Sequence, residues 1–526
     1  MMRRWGWSVL GAMLLTLGGG RVQAAETLLL SYGPLEFAVT VADLEAYIQT
    51  GQVPSRFQPL VAQLPAAELA RFTATLQQPI AVAPEAVERV FGTSTGRVLL
   101  NRLGLVVQTE RGENGADALK TAMLRAAQQP GGVTFLRILR EFPGTTIRLN
   151  LVRGLAVITE VNRYITQVNH ALAVLNQEFL QQARRQSLPP NLPDLTQRGP
   201  VTWQVKDLTL TDTRRQRPLP VTLYLPAQPN PPTVVISHGL GDSRQSFAYL
   251  AEHLASYGLA VVLPEHPGSD ARRLQQVLDG QANEYIIPQE LVDRPQDIRF
   301  VLDALADQPI NRERVLVVGH SYGGYTALAV GGARLNLAHL SQVCAQVEQG
   351  VALNLSLLLQ CPGRRLSNPP VQFRDERVVG VVAINPVGSA LFGPTGLAQV
   401  KVPTLIVAAT QDVAAPALDE QILPLTWLGS PQRYLALIEG ASHFSVLGQN
   451  TTGIPLPIDV VGPAPEVAQL YIKVLTLAFA QVHLAQRSEF APFLTAAYAR
   501  RLTRNPLPLQ LVSNPPVTPL RQALAR

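Results

Sequence analysis

Three side chains far apart in the chain have the types and the order that acyl-transfer chemistry needs. They are Ser321 in Gly319-His320-Ser321-Tyr322-Gly323, Asp412 in Thr410-Gln411-Asp412-Val413, and His443 in Ala441-Ser442-His443-Phe444. A serine hydroxyl is a poor nucleophile near neutral pH. It attacks a carbonyl only when a base within hydrogen-bond reach takes its proton, and the base needs an acid to orient it. A second stretch, Ser237-His238-Gly239-Leu240-Gly241, has the glycines that let a loop curl and aim backbone N–H groups at a developing oxyanion. The reading assigns those donors to the amides of Leu240 and Tyr322, with Gly239, Gly241, Gly319 and Gly323 permitting the close backbone approach. Each residue also has a plain structural reading. Asp412 fits a turn cap, His443 a loop histidine, His320 a packing residue and His238 a structural hydrogen-bonder. Glu439 is a rival acid close to His443.

These residues need elements to position them. Val315 to Val318 reads as a buried strand that runs into the Ser321 bend, with a helix after it. Thr404 to Ala409 and Tyr434 to Ile438 are apolar strands ending just before Asp412 and His443. Thr233 to Ser237, Ala260 to Leu263 and Val378 to Ile384 complete the set, interleaved with helices over Gln245 to Tyr257 and Asp293 to Ala306. Continuous apolar strands alternating with helices predict an α/β fold with a doubly wound, mostly parallel sheet. Leu208 to Thr211 and Val221 to Leu225 read as paired strands at its start. Residues 333–375 form an insertion with an apolar stretch, Val351 to Leu359, read as a helical, lid-like element.

The expected organisation is a signal peptide over residues 1–24, a mainly helical domain over 26–150, and a helix with a Pro-rich linker over 151–199. The catalytic domain then spans 200–462, with a C-terminal helical extension over 463–526 that packs on the N-terminal domain. Within 26–150, Thr27 to Tyr32 reads as a strand, and 41–47, 66–77 and 84–90 read as amphipathic helices. Arg3 and Arg4, the short apolar run from Ser8 and the small residues of Val22-Gln23-Ala24 give the export pattern, so the expected location is periplasmic or secreted. After signal removal no segment reads as a membrane span.

With 47% hydrophobic and 16% charged residues, the chain reads as packed and globular. Its formal charge is +6, of which Arg3, Arg4 and Arg21 supply three, so the mature excess is slight and does not point to nucleic acid. No residues show a metal-ligand spacing, and the chemistry needs no metal or organic cofactor. Cys344 and Cys361, 17 apart, fit either a disulfide or two buried thiols.

The two glycine-flanked motifs together resemble the α/β-hydrolase superfamily, and within it the secreted platelet-activating-factor acetylhydrolases and their bacterial relatives known as predicted dienelactone hydrolases. The resemblance covers about residues 200–450. It departs at Ile384-Asn385-Pro386, where the acetylhydrolases place the acid; here Asp412 is the later carboxylate, as in most other esterases of the fold. The whole chain looks like a group of cyanobacterial α/β-hydrolases with an N-terminal domain of unknown function, to which Tyr32-Gly33-Pro34-Leu35-Glu36 and Phe142-Pro143-Gly144-Thr145-Thr146-Ile147 are similar. The expected activity is a serine hydrolase acting on carboxylic esters, of small molecules or lipids. Peptide or amide hydrolysis, and a non-catalytic binding protein on the same fold, are the alternatives.

Overall fold

A computed structural model describes residues 25–32, 35–54, 58, 84, 87–88, 91, 94–129, 133–349, 354–448 and 461–525. The signal peptide and the helix expected over 66–77 lie outside these residues, as does most of the one expected over 84–90. The chain forms two compact units, residues 1–87 with 103–154 and residues 88–102 with 155–526.

The first unit adds a sheet to its helices. It holds a four-stranded sheet in the order β2-β1-β4-β3, from β1 (Thr27–Tyr32), β2 (Leu35–Thr40), β3 (Val107–Gln108) and β4 (Thr146–Asn150). The helices of this part of the chain are α1 (Val41–Thr50), α2 (Ser94–Val106), α3 (Ala116–Ala127) and α4 (Phe135–Glu141). Strand β2 escapes a sequence reading because it is an edge strand whose side chains from Glu36 to Ala38 all face solvent, so it carries no apolar alternation. Thr40 then starts α1 with a reciprocal cap: its hydroxyl accepts from the Asp43 amide at 3.1 Å, and the Asp43 carboxylate accepts from the Thr40 amide at 3.3 Å.

The second unit is built on a nine-stranded sheet in the order β13-β12-β11-β10-β9-β7-β8-β6-β5. Its strands are β5 (Trp203–Asp212), β6 (Arg217–Pro226), β7 (Thr233–Ser237), β8 (Ala260–Pro264), β9 (Val315–His320), β10 (Val378–Ile384), β11 (Thr404–Ala409), β12 (Arg433–Ile438) and β13 (Leu509–Ser513). The six from β8 to β12 in the sheet run parallel, while β5, β6 and β13 pair antiparallel. Both faces are covered, which explains the unbroken apolar runs. Along β9, Val315 and Val317 enter one core, and Leu316 and Val318 the other. The principal helices are α5 (Leu151–Arg185), α6 (Ala248–Ser256), α7 (Ala271–Leu278), α8 (Glu290–Ala304), α9 (Tyr322–Val330), α10 (Leu337–Gln349), α11 (Ser389–Leu397), α12 (Pro465–His483), α13 (Ala496–Leu502) and α14 (Val517–Ala525).

The region after 463 belongs to the second unit. Helix α12 buries Tyr471, Leu475 and Phe479 in the second core, and β13 zips onto β12 from Tyr434↔Ser513 to Ile438↔Leu509. The helix expected before the Pro-rich stretch is α5. Ala171 and Leu175 sit in one core and Phe179 in the other, and Gln182 pairs with the Ser513 backbone, donating to its carbonyl at 2.8 Å and accepting from its amide at 3.1 Å. The insertion is fastened down. Cys344 and Cys361 form a disulfide across it. Beyond that, the buried Glu420 carboxylate accepts from Asn354 Nδ2 (2.6 Å), Ser356 Oγ (2.7 Å) and Gln360 Nε2 (2.9 Å) of the insertion. The same carboxylate accepts from Ser389 Oγ (2.6 Å) and the amides of Gly388 (2.9 Å) and Ser389 (3.0 Å).

Candidate active site

Ser321 stands between β9 and α9 with φ 54° and ψ −115°, a backbone state that costs a non-glycine residue on the order of 1–3 kcal/mol. The surroundings impose it. The Ser321 amide donates to Ile384 at 2.9 Å, and its carbonyl accepts from Tyr325 and Val387 at 3.2 and 3.3 Å. The flanking glycines are required: a Cβ on Gly319 would overlap the Gly323 carbonyl, and one on Gly323 would overlap the Ser237 carbonyl. The bend therefore presses the start of α9 against the end of β7, the strand that leads into the His238–Gly241 loop.

Asp412 and His443 meet. His443 Nδ1 lies 2.6 Å from Asp412 Oδ2, and each residue is 5% exposed. Their loops are tied together by Gln411 N–H to Ala441 O at 2.9 Å and Gly440 N–H to Thr410 Oγ1 at 2.9 Å, with Gly440 at φ 77°. Asp412 Oδ1 accepts the Ala415 amide at 2.7 Å, which fixes the carboxylate. The His443 carbonyl accepts from His320 Nε2 at 3.0 Å and Asn385 Nδ2 at 3.3 Å, and the His320 ring centroid is 4.7 Å from that of His443. His320, next to Ser321 in the chain, thus braces the His443 loop; burial, and then the His443 ring, hold it well below the ordinary imidazole range. Among the described residues, Ser321 Oγ has no hydrogen-bond partner, and the amides of Leu240 and Tyr322 donate to no acceptor. Glu439 points elsewhere: its Oε1 accepts from Gln510 Nε2 at 2.5 Å.

Sequence reading missed Asn385 as a fastener. It stands at φ 43° where the acetylhydrolase likeness would put an acid. Besides the His443 carbonyl, it serves β11 by accepting the Ala409 amide at 3.0 Å. Position alone gave the signal: an asparagine before proline at the end of a buried strand. Arg294, fully buried on α8 beneath the His238 loop, was also missed. Its signal was a charged Arg294 and Asp297 on an otherwise core-facing helix.

Beside Asp412 lies an apolar cleft of about 520 Å³, lined by Tyr164, Val168 and Leu172 of α5, by Leu355, and by Val413, Pro416 and Leu418 of the Asp412 loop. Leu355 is 43% and Val413 71% exposed at its mouth. Among the described residues, no group of three or more His, Cys, Asp or Glu could hold a metal ion, and no helix is long and apolar enough to cross a membrane.

Comparison with known families gives two matches. The family model described as "Alpha/beta hydrolase family" fits residues 234–525, more than half of the chain. The chain belongs to the alpha/beta hydrolase family. It is a hydrolase of this fold, and the match runs through β13 and α14, in keeping with their place in the sheet and its cover. A second model, "Alpha/beta hydrolase of unknown function", fits residues 24–150. A search of curated proteins gave no match.

Proposed function

We propose that the protein is a serine hydrolase of carboxylic esters, with Ser321 as nucleophile, His443 as general base and acid, and Asp412 as the carboxylate that orients it. The observation that carries this reading is the 2.6 Å His443–Asp412 contact in loops fastened to the strained bend that presents Ser321. A carboxylate on Nδ1 holds the proton there and leaves Nε2 as the base. The Ser321–His443 hydrogen bond forms with substrate in place, since such bonds are often long in an unliganded site.

In the first half-reaction Ser321 Oγ attacks the ester carbonyl carbon and its proton passes to His443 Nε2. The carbonyl π pair moves onto oxygen, where the amides of Leu240 and Tyr322 receive it. Collapse expels the alkoxide, which takes the proton from His443 and leaves as the alcohol. Water then attacks the acyl-enzyme by the same route and releases the acid. Each oxyanion donor is worth on the order of 3 kcal/mol in such a transition state.

The cleft beside Asp412 favours an apolar acyl group over a charged one, and its volume is within the ~300–1,000 Å³ of small-molecule sites. The Cys344–Cys361 disulfide supports export into an oxidising compartment, periplasmic or extracellular.

A fluorophosphonate probe and a panel of p-nitrophenyl esters of rising acyl length test the reading. Wild type is expected to label and to turn over longer chains with higher kcat/KM, and Ser321→Ala to do neither. Folded wild-type protein that neither labels nor cleaves any ester would point to a binding protein and end the proposal.

A further inference from the structure

Beneath the site lies a second Ser–His–Asp array. Ser237 Oγ is 3.0 Å from His266 Nε2, and His266 Nδ1 is 2.9 Å from Asp297 Oδ2. Ser237, His266 and Asp297 are all 0% exposed, against 8% for Ser321. The directions of the bonds are determined by chemistry. Asp297 can only accept when ionised, so His266 donates from Nδ1, and its Nε2 accepts a hydrogen bond from the Ser237 hydroxyl. The Ser237 oxygen in turn accepts from Arg294 Nη2 at 3.2 Å. Its lone pairs are thus engaged by a cation and no solvent reaches it, which leaves Ser237 with no path to a substrate.

Arg294 is the centre of this layer. Among the described residues it makes no direct ion pair with a carboxylate. Nη2 donates to the His238 carbonyl as well as to Ser237, Nη1 donates to Ser269 Oγ at 2.8 Å, and Nε donates to Thr326 Oγ1 at 3.2 Å. Its guanidinium lies 4.6 Å from the centre of the Tyr322 ring. The compensating charges are one bond further out: Ser269 Oγ donates to Glu290 at 2.8 Å, and the Ser237–His266 relay ends on Asp297. Glu290, Arg294 and Asp297 are four and three apart, on one face of α8. Arg217 bridges the two acids from outside, at 2.9 Å from Glu290 and 3.1 Å from Asp297. A planar fork of donors at one point therefore grips both segments that carry the oxyanion amides: the His238–Leu240 loop through the Ser237 hydroxyl and the His238 carbonyl, and the first turn of α9 through Tyr322 and Thr326.

We propose that Arg294, held by the buried Ser237–His266–Asp297 array, is the positioning residue that sets the Leu240 and Tyr322 amides at the spacing the oxyanion requires. The proposal rests on the serine-hydrolase reading above. It predicts a defect confined to the transition state, since ground-state binding does not use those amides fully.

The test uses the full chain with Ser237→Ala, which removes one link with little change in volume, and Arg294→Lys, which keeps the charge but loses the fork. Thermal unfolding confirms which variants are folded. Both are expected to lower kcat roughly 10- to 100-fold with KM little changed. Affinity for a trifluoromethyl ketone, whose adduct with the nucleophile is an oxyanion, is expected to fall in parallel with kcat/KM. A packing role alone would lower stability and leave the ratio of ketone affinity to KM untouched. If folded Ser237→Ala keeps wild-type kcat and ketone affinity, the proposal is wrong, whatever Arg294→Lys does. Fluorophosphonate labelling separates the two levels of inference. It persists in Ser237→Ala and vanishes in Ser321→Ala if Ser321 is the nucleophile; the reverse pattern overturns the Ser321 assignment itself.

Discussion

Glu439 is the carboxylate nearest to His443 in sequence, yet it belongs to the seam between β12 and β13, where its amide donates to Pro508 at 2.9 Å and its side chain accepts from Gln510. Asp412 alone is fixed on His443. Asp412→Asn should therefore lower kcat by about 10⁴-fold, because an amide in that place favours the wrong imidazole tautomer. Glu439→Gln should leave kcat close to wild type. Equal losses in steady-state ester assays would remove Asp412 from the site. Ser321, Asp412 and His443 were legible because each follows an apolar strand and they come in the order the chemistry demands. Arg294, His266 and Asn385 were not, because a local signal such as a charge on a core-facing helix, or an asparagine before proline, does not say which neighbouring loop the side chain serves. Their meaning appears only when β7, β8, β10 and α8 are side by side.

At the scale of elements, the insertion is anchored by chemistry that a sequence does not display. Glu420 is 2% exposed and receives six hydrogen bonds, three from the insertion and three from the Gly388–Ser389 turn. An amide has one acceptor oxygen where the carboxylate has two, and its NH₂ would face donors. Glu420→Gln should leave at least two buried donors unsatisfied and destabilise the fold by about 2–4 kcal/mol. Urea unfolding measures this, and an unchanged midpoint would mean that the carboxylate is not what holds the insertion. The parallel strands were legible because burial on both faces writes them as unbroken apolar runs. Strand β13 was not: it is five residues long, follows Pro506 and Pro508, and gains its place only by pairing with β12. Helix α5 was legible as a helix, but not the two cores it enters.

For the whole molecule, burial of neutral histidines sets the response to acid. His253 is held down at about 4, chiefly by burial and then by Lys473, and its Nε2 is enclosed without a partner. In the unfolded chain a histidine titrates near 6.5. Above that value neither state is protonated and stability is unaffected. As pH falls from ~6.5 toward 4, the unfolded chain takes up a proton that the folded one refuses, so the fold loses stability, by about 2 kcal/mol at pH 5 from His253 alone. His238, His266 and His320, all pushed well down by burial, act in the same direction. Asp242, raised to about 6 by burial, acts oppositely, since its burial penalty is relieved as pH falls from ~6 to ~4. Glu265, Asp270, Asp293 and Asp297, also raised by burial, join Asp242, while His339 and His483, also held down by burial, join the four histidines, so six lowered histidines stand against five raised carboxyls. Urea midpoints at about pH 7.5 and about pH 5 should show the fall, and His253→Gln should shrink it. A flat wild-type profile would refute this account.

The pairing of Gln182 with Ser513 has a consequence for how the protein is made. The two residues are separated by 331 positions, so α5 leaves the ribosome long before the strand that clasps it exists. Through most of translation the apolar stripe of Ala171, Leu175 and Phe179 has no finished core to enter. That stripe therefore stays open to solvent until the C-terminal strand has emerged, which makes the unfinished chain prone to aggregation.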